Sequence, residues 1–184
     1  MPPSSSIITD SIELSLSSVL NTTSPFSDLI SSEPSVVQSD ADEELLVHMH
    51  FQSPLRLDGF TIRVPDEEDD GVSRAPGKIF FFKNAPQLSF SDCHDSKPDH
   101  QVNLEDSDYV ADSSIPGVRS VTIPFKAFKW NGTSSVTIFV SNNIERDETT
   151  VVYQIVPLGL PSQSRGGLEM GRLQEIKDQA KKGG

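Results

Sequence analysis

From Leu45 to Phe51 the chain alternates apolar and polar residues, and this period of two excludes an amphipathic helix. Leu45, Val47, Met49 and Phe51 share one phase, against Glu44, Leu46, His48 and His50 on the other. That is the pattern of a half-buried strand. Ser53-Pro54 predicts a turn, after which Phe60, Ile62 and Val64 mark a second strand with its own inward face.

Similar segments follow at short intervals. Lys78 to Lys83 reads as a strand with three consecutive phenylalanines, so at least one ring must face outward or lie under a loop. Asn84-Ala85-Pro86 ends it, and Ser91 to Pro98 reads as polar loop. Gln101 to Leu104 is a short strand, and Asp106 to Pro116 is again loop. Val118 to Phe128 carries an edge-type or bent strand because Pro124 lacks a ladder donor. Ser135 to Ser141 is partly apolar on both faces and therefore central, and Thr149 to Val156 is the last strand, with Val151, Tyr153 and Ile155 in phase. Several short strands with turn signals between them predict an all-β sandwich or jelly roll.

The ends differ from this body. Residues 1–11 are expected to be disordered, and Ser11 to Leu20 to supply a short element packed on the core. The domain proper is expected over 12–161. In the tail, 162–184, Leu168, Met170, Leu173 and Ile176 are spaced like one side of a short helix, with Lys177, Lys181 and Lys182 gathered at its end. Cations suit a helix C-terminus.

A net charge of −12, from 27 acids against 15 bases, opposes a nucleic-acid surface and docking on anionic lipid. One cysteine, Cys93, rules out an intrachain disulfide within this sequence and points to a reducing compartment. The opening Met1-Pro2-Pro3-Ser4-Ser5-Ser6 lacks the features of a signal peptide, and no apolar run is long enough to span a bilayer. Cytoplasm and nucleus are the expected locations. In that setting the Asn-x-Thr triplets at Asn21 and Asn131 are chance matches rather than glycosylation sites.

Candidate chemistry is sparse. His48 and His50 lie on one strand face and would need a third ligand to hold a metal; the simpler reading is the wet face of an amphipathic strand. Acid groups at Asp40 to Glu44 and Asp66 to Asp70 lack the alternating ligands of a calcium loop. Cys93 sits between Asp92 and His94, and neighbouring carboxylates oppose the low pKa a reactive thiol needs. No Gly-x-Ser-x-Gly elbow and no glycine-rich phosphate loop occur. Phe80, Phe81, Phe82, Phe90, Phe125, Phe128 and Phe139 are assigned mostly to the core by phase. Trp130, before Asn131-Gly132, either closes the core or stands exposed as an anchor for a partner or a sugar.

Three separated blocks resemble one family: Ser39-Asp40-Ala41-Asp42-Glu43-Glu44-Leu45-Leu46, Lys83-Asn84-Ala85-Pro86-Gln87-Leu88-Ser89-Phe90, and Ser135-Val136-Thr137-Ile138-Phe139-Val140. They look like the PITH domain, the proteasome-interacting thioredoxin domain. Leu158-Gly159-Leu160-Pro161 and the lysine-ended tail are similar to the C-terminus of its thioredoxin-like members. The resemblance implies a jelly-roll sandwich of the galactose-binding-like type and association with the regulatory particle of the 26S proteasome. It carries no catalytic residue and no cofactor across, since the family's redox chemistry belongs to a thioredoxin domain and no Trp-Cys-Gly-Pro-Cys occurs in this sequence. Cysteines that family members often have near Val19 and Leu29 are absent. The expectation is a monomeric, non-enzymatic interaction module. Its candidate contact residues are Asp66, Glu67 and Glu68 in the acidic loop, Trp130, and Lys177, Lys181 and Lys182 in the tail. The alternative is a jelly-roll module for a carbohydrate or small ligand.

Overall fold

The computed structural model describes residues 6–66 and 70–161. Its elements in chain order are β1 (Ser6–Ile7), β2 (Ser18–Leu20), α1 (Phe26–Leu29), β3 (Val37–Gln38), β4 (Leu45–Pro65) and β5 (Lys78–Lys83). After these come α2 (Phe90–Asp95), β6 (His100–Asn103), β7 (Val110–Ala111), β8 (Val118–Pro124), β9 (Thr133–Val140), β10 (Val151–Val152) and β11 (Gln154–Pro161). Short 3-10 turns occupy Thr9–Ser11, Leu14–Leu16 and Asp106–Asp108.

The two strands expected around Ser53-Pro54 are one strand of 21 residues, bent rather than reversed. Its register against β9 shifts between His50 and Leu55, so the proline sits in a bulge where no ladder donor is required. The first half of β4 pairs with β2 and β9, the second with β11 and β8, all antiparallel. One layer is thus β2-β4-β9-β5-β6 and the other β1-β11-β4-β8-β7, with β4 in both. A two-layered sandwich results, as the strand count predicts, with the jelly-roll form that the family resemblance implies.

A single core fills the space between the layers. Val47, Met49, Ile79, Phe81, Val136 and Ile138 come from the first layer, and Leu57, Phe60, Ile62, Ile123 and Ile155 from the second, all nearly inaccessible to solvent. Phe60 stacks on Phe81 with ring centroids 5.6 Å apart, Phe81 meets Phe125 edge-on at 4.9 Å, and Phe125 stacks on Trp130 at 4.3 Å. Buried aromatic pairs of this kind add about 0.5–1.5 kcal/mol each beyond area burial.

Leu57 and Phe60 both point inward although three positions separate them, so the alternation must slip between them. The slip is a bulge: Leu158 pairs with Gly59, but Gly159 pairs with Leu57. Gly59 adopts φ 151°, and a Cβ there would lie 2.2 Å from the Ile123 carbonyl oxygen.

Several expectations are corrected. Ser6–Ile7 pair with Gly159 and Leu158, and Ile8 is buried, so order begins before Ile12. The segment read as polar loop at Ser91 to Pro98 opens with α2, whose N-terminus is closed by a capping box between Ser89 and Asp92. Within Asp106 to Pro116, β7 adds to the edge of β8. The expected last strand divides at Tyr153 into β10, paired with β3, and β11, paired with β1 and β4. Phe128 is not core but 80% exposed. The tail helix expected over Leu168 to Ile176 lies outside the described residues.

Gly59→Ala is expected to destabilise the domain by about 1–3 kcal/mol or more, since backbone rather than a flexible side chain blocks the added methyl. The urea midpoint of unfolding measures it; an unchanged midpoint would show that the bulge tolerates a side chain.

Candidate interaction surface

The two ends of β8 carry different chemistry. At the Val118 end, Asp66 closes β4 and its N–H donates to the Gly117 carbonyl at 3.1 Å. Arg119 donates from Nη1 to Asp106 Oδ1 at 3.0 Å, lies over the Tyr109 ring, and holds Nε 3.9 Å from Asp66 Oδ1. That Nε and Ser73 Oγ are buried without a hydrogen-bond partner. Both belong to the wall of an open cavity of about 460 Å³, shared with Asp66, Asp106 and Glu145. Carboxylates outnumber the guanidinium here, so the cleft suits a cationic or hydrogen-bonding group. Beside it Arg74 grips Asp70 and Asp147, and together with the Val72 N–H it draws the Asp70 carboxyl down to about 2. Of the acidic-loop candidates, Asp66 borders the cavity, while Glu67 and Glu68 lie outside the described residues.

At the Pro124 end the exposed side chains include Lys126, Phe128 and Lys129. Trp130 is only 1% exposed, so the indole expected as a possible contact is a core residue. Its ring covers Phe125, and its carbonyl accepts from Leu57 N–H at 3.1 Å and Thr133 Oγ1 at 2.6 Å. The contact reading of Trp130 is therefore corrected: a large apolar ring next to Phe125 is more stable under the sandwich than in water. Lys177, Lys181 and Lys182 lie outside the described residues.

The outer face of the first layer is not the wet surface that its polar phase suggests. α2 lies across it, burying Cys93 against Leu46, Phe82 and Phe139, with Phe80, Leu88 and Phe90 around them. The run of three phenylalanines is thereby explained: Phe81 enters the main core, and Phe80 and Phe82 pack under the helix and its flank. His94 of α2 contacts Glu44 Oε1 at 2.6 Å, which ties the helix to the strand entrance.

His48 is almost fully buried on this face. Its Nδ1 lies 3.1 Å from Thr137 Oγ1, and that hydroxyl gives its single proton to the Ala85 carbonyl at 2.8 Å. Nδ1 must therefore carry the ring proton and donate it. Burial, then repulsion from His50, pushes the His48 imidazolium down from the usual 6.5. Among the described residues no three or more His, Cys, Asp or Glu side chains converge as a metal site. Asp42 Oδ1 is occupied by the Asn21 amide and the Glu44 N–H, which makes that acidic block a turn anchor.

A sequence model of the PITH domain matches residues 1–178. This chain belongs to the PITH domain family. It is 34% identical over 117 residues to the PITH domain-containing protein ZK353.9 of Caenorhabditis elegans, covering 64% of this chain and 49% of that one. Thioredoxin-like protein 1 of Schizosaccharomyces pombe is 28% identical over 148 residues, covering 80% and 47%. The human PITH domain-containing protein 1 is 31% identical over 117 residues, covering 64% and 48%. The chain thus spans about half the length of the curated relatives it matches. Among solved structures, the family 32 carbohydrate-binding module of Clostridium perfringens NanJ, in complex with galactose, superposes with a TM-score of 0.56 at 8% identity, covering 84% of this chain and 98% of that one. The likeness shows the galactose-binding-like jelly roll. No helix among the described residues is long and apolar enough to cross a membrane.

Two measurements probe the PITH domain's covered face. Burial, reinforced by Asp92 and Glu44, pushes the Cys93 thiol up to about 11. In the folded protein at about pH 8 a maleimide should therefore label it far more slowly than in urea, because only the thiolate attacks. Equal rates would show that α2 does not shield it. Burial holds the His48 pKa in the fold below the usual 6.5, so as pH falls the unfolded chain takes up a proton first. The unfolded state thus binds more protons as pH falls, so stability is full above about pH 7 and declines below it. His48→Gln should reduce that decline in urea midpoints between about pH 7.5 and 5.5, leaving the share of His100, whose protonation burial also disfavours. An unaltered pH profile would assign the dependence elsewhere.

Proposed function

We propose that this PITH domain is a non-enzymatic interaction module that associates with the regulatory particle of the 26S proteasome, in the cytoplasm or nucleus. The observation that carries the reading is the family match across residues 1–178 together with the intact jelly roll. The groups an enzyme would use are engaged otherwise. Cys93 is buried and held as a neutral thiol, and His48 is locked between strands by Thr137. The polar cleft at Asp66, Asp106 and Arg119 offers hydrogen bonds and negative charge, which favour recognition of a basic partner segment.

Sugar recognition is not proposed. The galactose-bound neighbour resembles this chain in fold, and fold does not carry function. The indole that would serve as a stacking platform is inside the core.

Binding of the full chain to purified 26S proteasome, against isolated 20S core particle, tests the reading. Comigration with the 26S form alone on native gels is expected, weakening as ionic strength rises. No comigration at low salt would sink it. Truncation after Pro161 measures what Lys177, Lys181 and Lys182 contribute: weakened comigration would give the tail a share, and unchanged comigration would confine the contact to the sandwich.

A further inference from the structure

Phe128 is the most exposed large apolar residue among those described, at 80%. A lone exposed apolar side chain is ordinary. What sets Phe128 apart is how its backbone is held and what charge surrounds it.

The turn carrying it is clamped on both sides. Lys129 N–H donates to the Lys126 carbonyl at 2.9 Å, and Trp130 N–H to the Ala127 carbonyl at 3.2 Å. The flanking rings, Phe125 and Trp130, are stacked inside the core and pin the two ends of the turn. Across the turn the Lys83 ammonium donates to the carbonyls of Lys129 at 3.0 Å and Asn131 at 2.7 Å. Phe128 is therefore presented on a fixed scaffold, and a partner would pay little entropy to order it.

The charge is the reverse of the chain's. The protein carries 27 acids against 15 bases, yet no Asp or Glu occurs between Asp112 and Glu145. Lys126 and Lys129 are exposed on either side of Phe128, with Lys83 behind them. Two acids bordering this end are engaged: Asp58 is paired with Arg56, and Asp99 accepts the Lys83 N–H at 2.7 Å. The acidic cleft lies at the far end of the seven-residue β8, roughly 20 Å away. An aromatic anchor ringed by cations complements an apolar socket rimmed by carboxylates.

We propose that the turn from Phe125 to Asn131 is a docking knob, in which Phe128 enters an apolar socket on a partner protein while Lys126 and Lys129 meet acidic residues at its rim. The inference rests on the proteasome reading and adds a second contact surface at the opposite end of the sandwich from the acidic cleft.

Purified 26S proteasome is the probe, and the full chain is compared with Phe128→Ala and with the double variant K126E/K129E. Both sites are exposed, so urea midpoints should match that of the native chain. A rise in Kd of about tenfold or more is expected for each variant, with salt weakening the native chain more than K126E/K129E. Native-like affinity in both variants would overturn the knob and leave the proteasome reading standing. Failure of the native chain to bind would overturn both. Phosphatidylserine vesicles form the control: capture by them that Phe128→Ala abolishes would assign the turn to a membrane surface and refute the protein socket.

Discussion

One strand holds both halves of this molecule together. β4 hydrogen-bonds within the first layer through Leu45 to His50 and within the second through Leu55 to Pro65, and each half has a neighbour on both sides. The layers are therefore covalently and cooperatively joined. Neither half of β4 can be lost without uncovering the core on which the other depends. The slip at Gly59 adjusts the second half so that Leu57 and Phe60 both face inward, and without it the alternation would carry Phe60, Ile62 and Val64 to the outside.

Because β4 sets the position of β8, it also separates the two ends of the sandwich. Val64 pairs with Arg119, which brings the guanidinium to Asp66 and Asp106, and Gly59 pairs with Pro124, where the strand gives way to the Phe128 turn. The acidic cleft and the basic, aromatic turn are consequences of one register. A net charge of −12 hides this division, since it averages over a surface whose signs are segregated.

The first layer has a second apolar interface, small and one-sided. Leu46, Phe82 and Phe139 stand in the phase that an isolated amphipathic strand would expose, and α2 covers them with Cys93 and Phe90. The single cysteine of this sequence lies on the inward face of a capped helix. Two titratable groups on that face, Cys93 and His48, are each biased to the neutral state because burial penalises charge and like-charged neighbours add to the penalty.

Much of this was legible in the chain before folding. Apolar patterning placed β5, β6, β8 and β9 within a few residues, and the strand count limited the fold to a sandwich or jelly roll, because the pleat imposes its alternation locally. The inertness of Cys93 was also readable from Asp92 beside it. Four features were not. Ser53-Pro54 reads equally as a reversal or a bulge, and only the partners β9 and β11 select the bulge. α2 is too short to show periodicity, although Ser89 and Asp92 spell its cap. Trp130 and Phe128, two residues apart in one turn, lie on opposite sides of the solvent boundary because Phe125 offers a ring to only one of them. The cleft joins residues 66, 73, 106, 119 and 145, which share no local pattern. Local patterning determined the longer strands; the meeting of distant segments decided the short edge strands and which faces stay wet, since burial depends on what packs against a surface as well as on the surface itself.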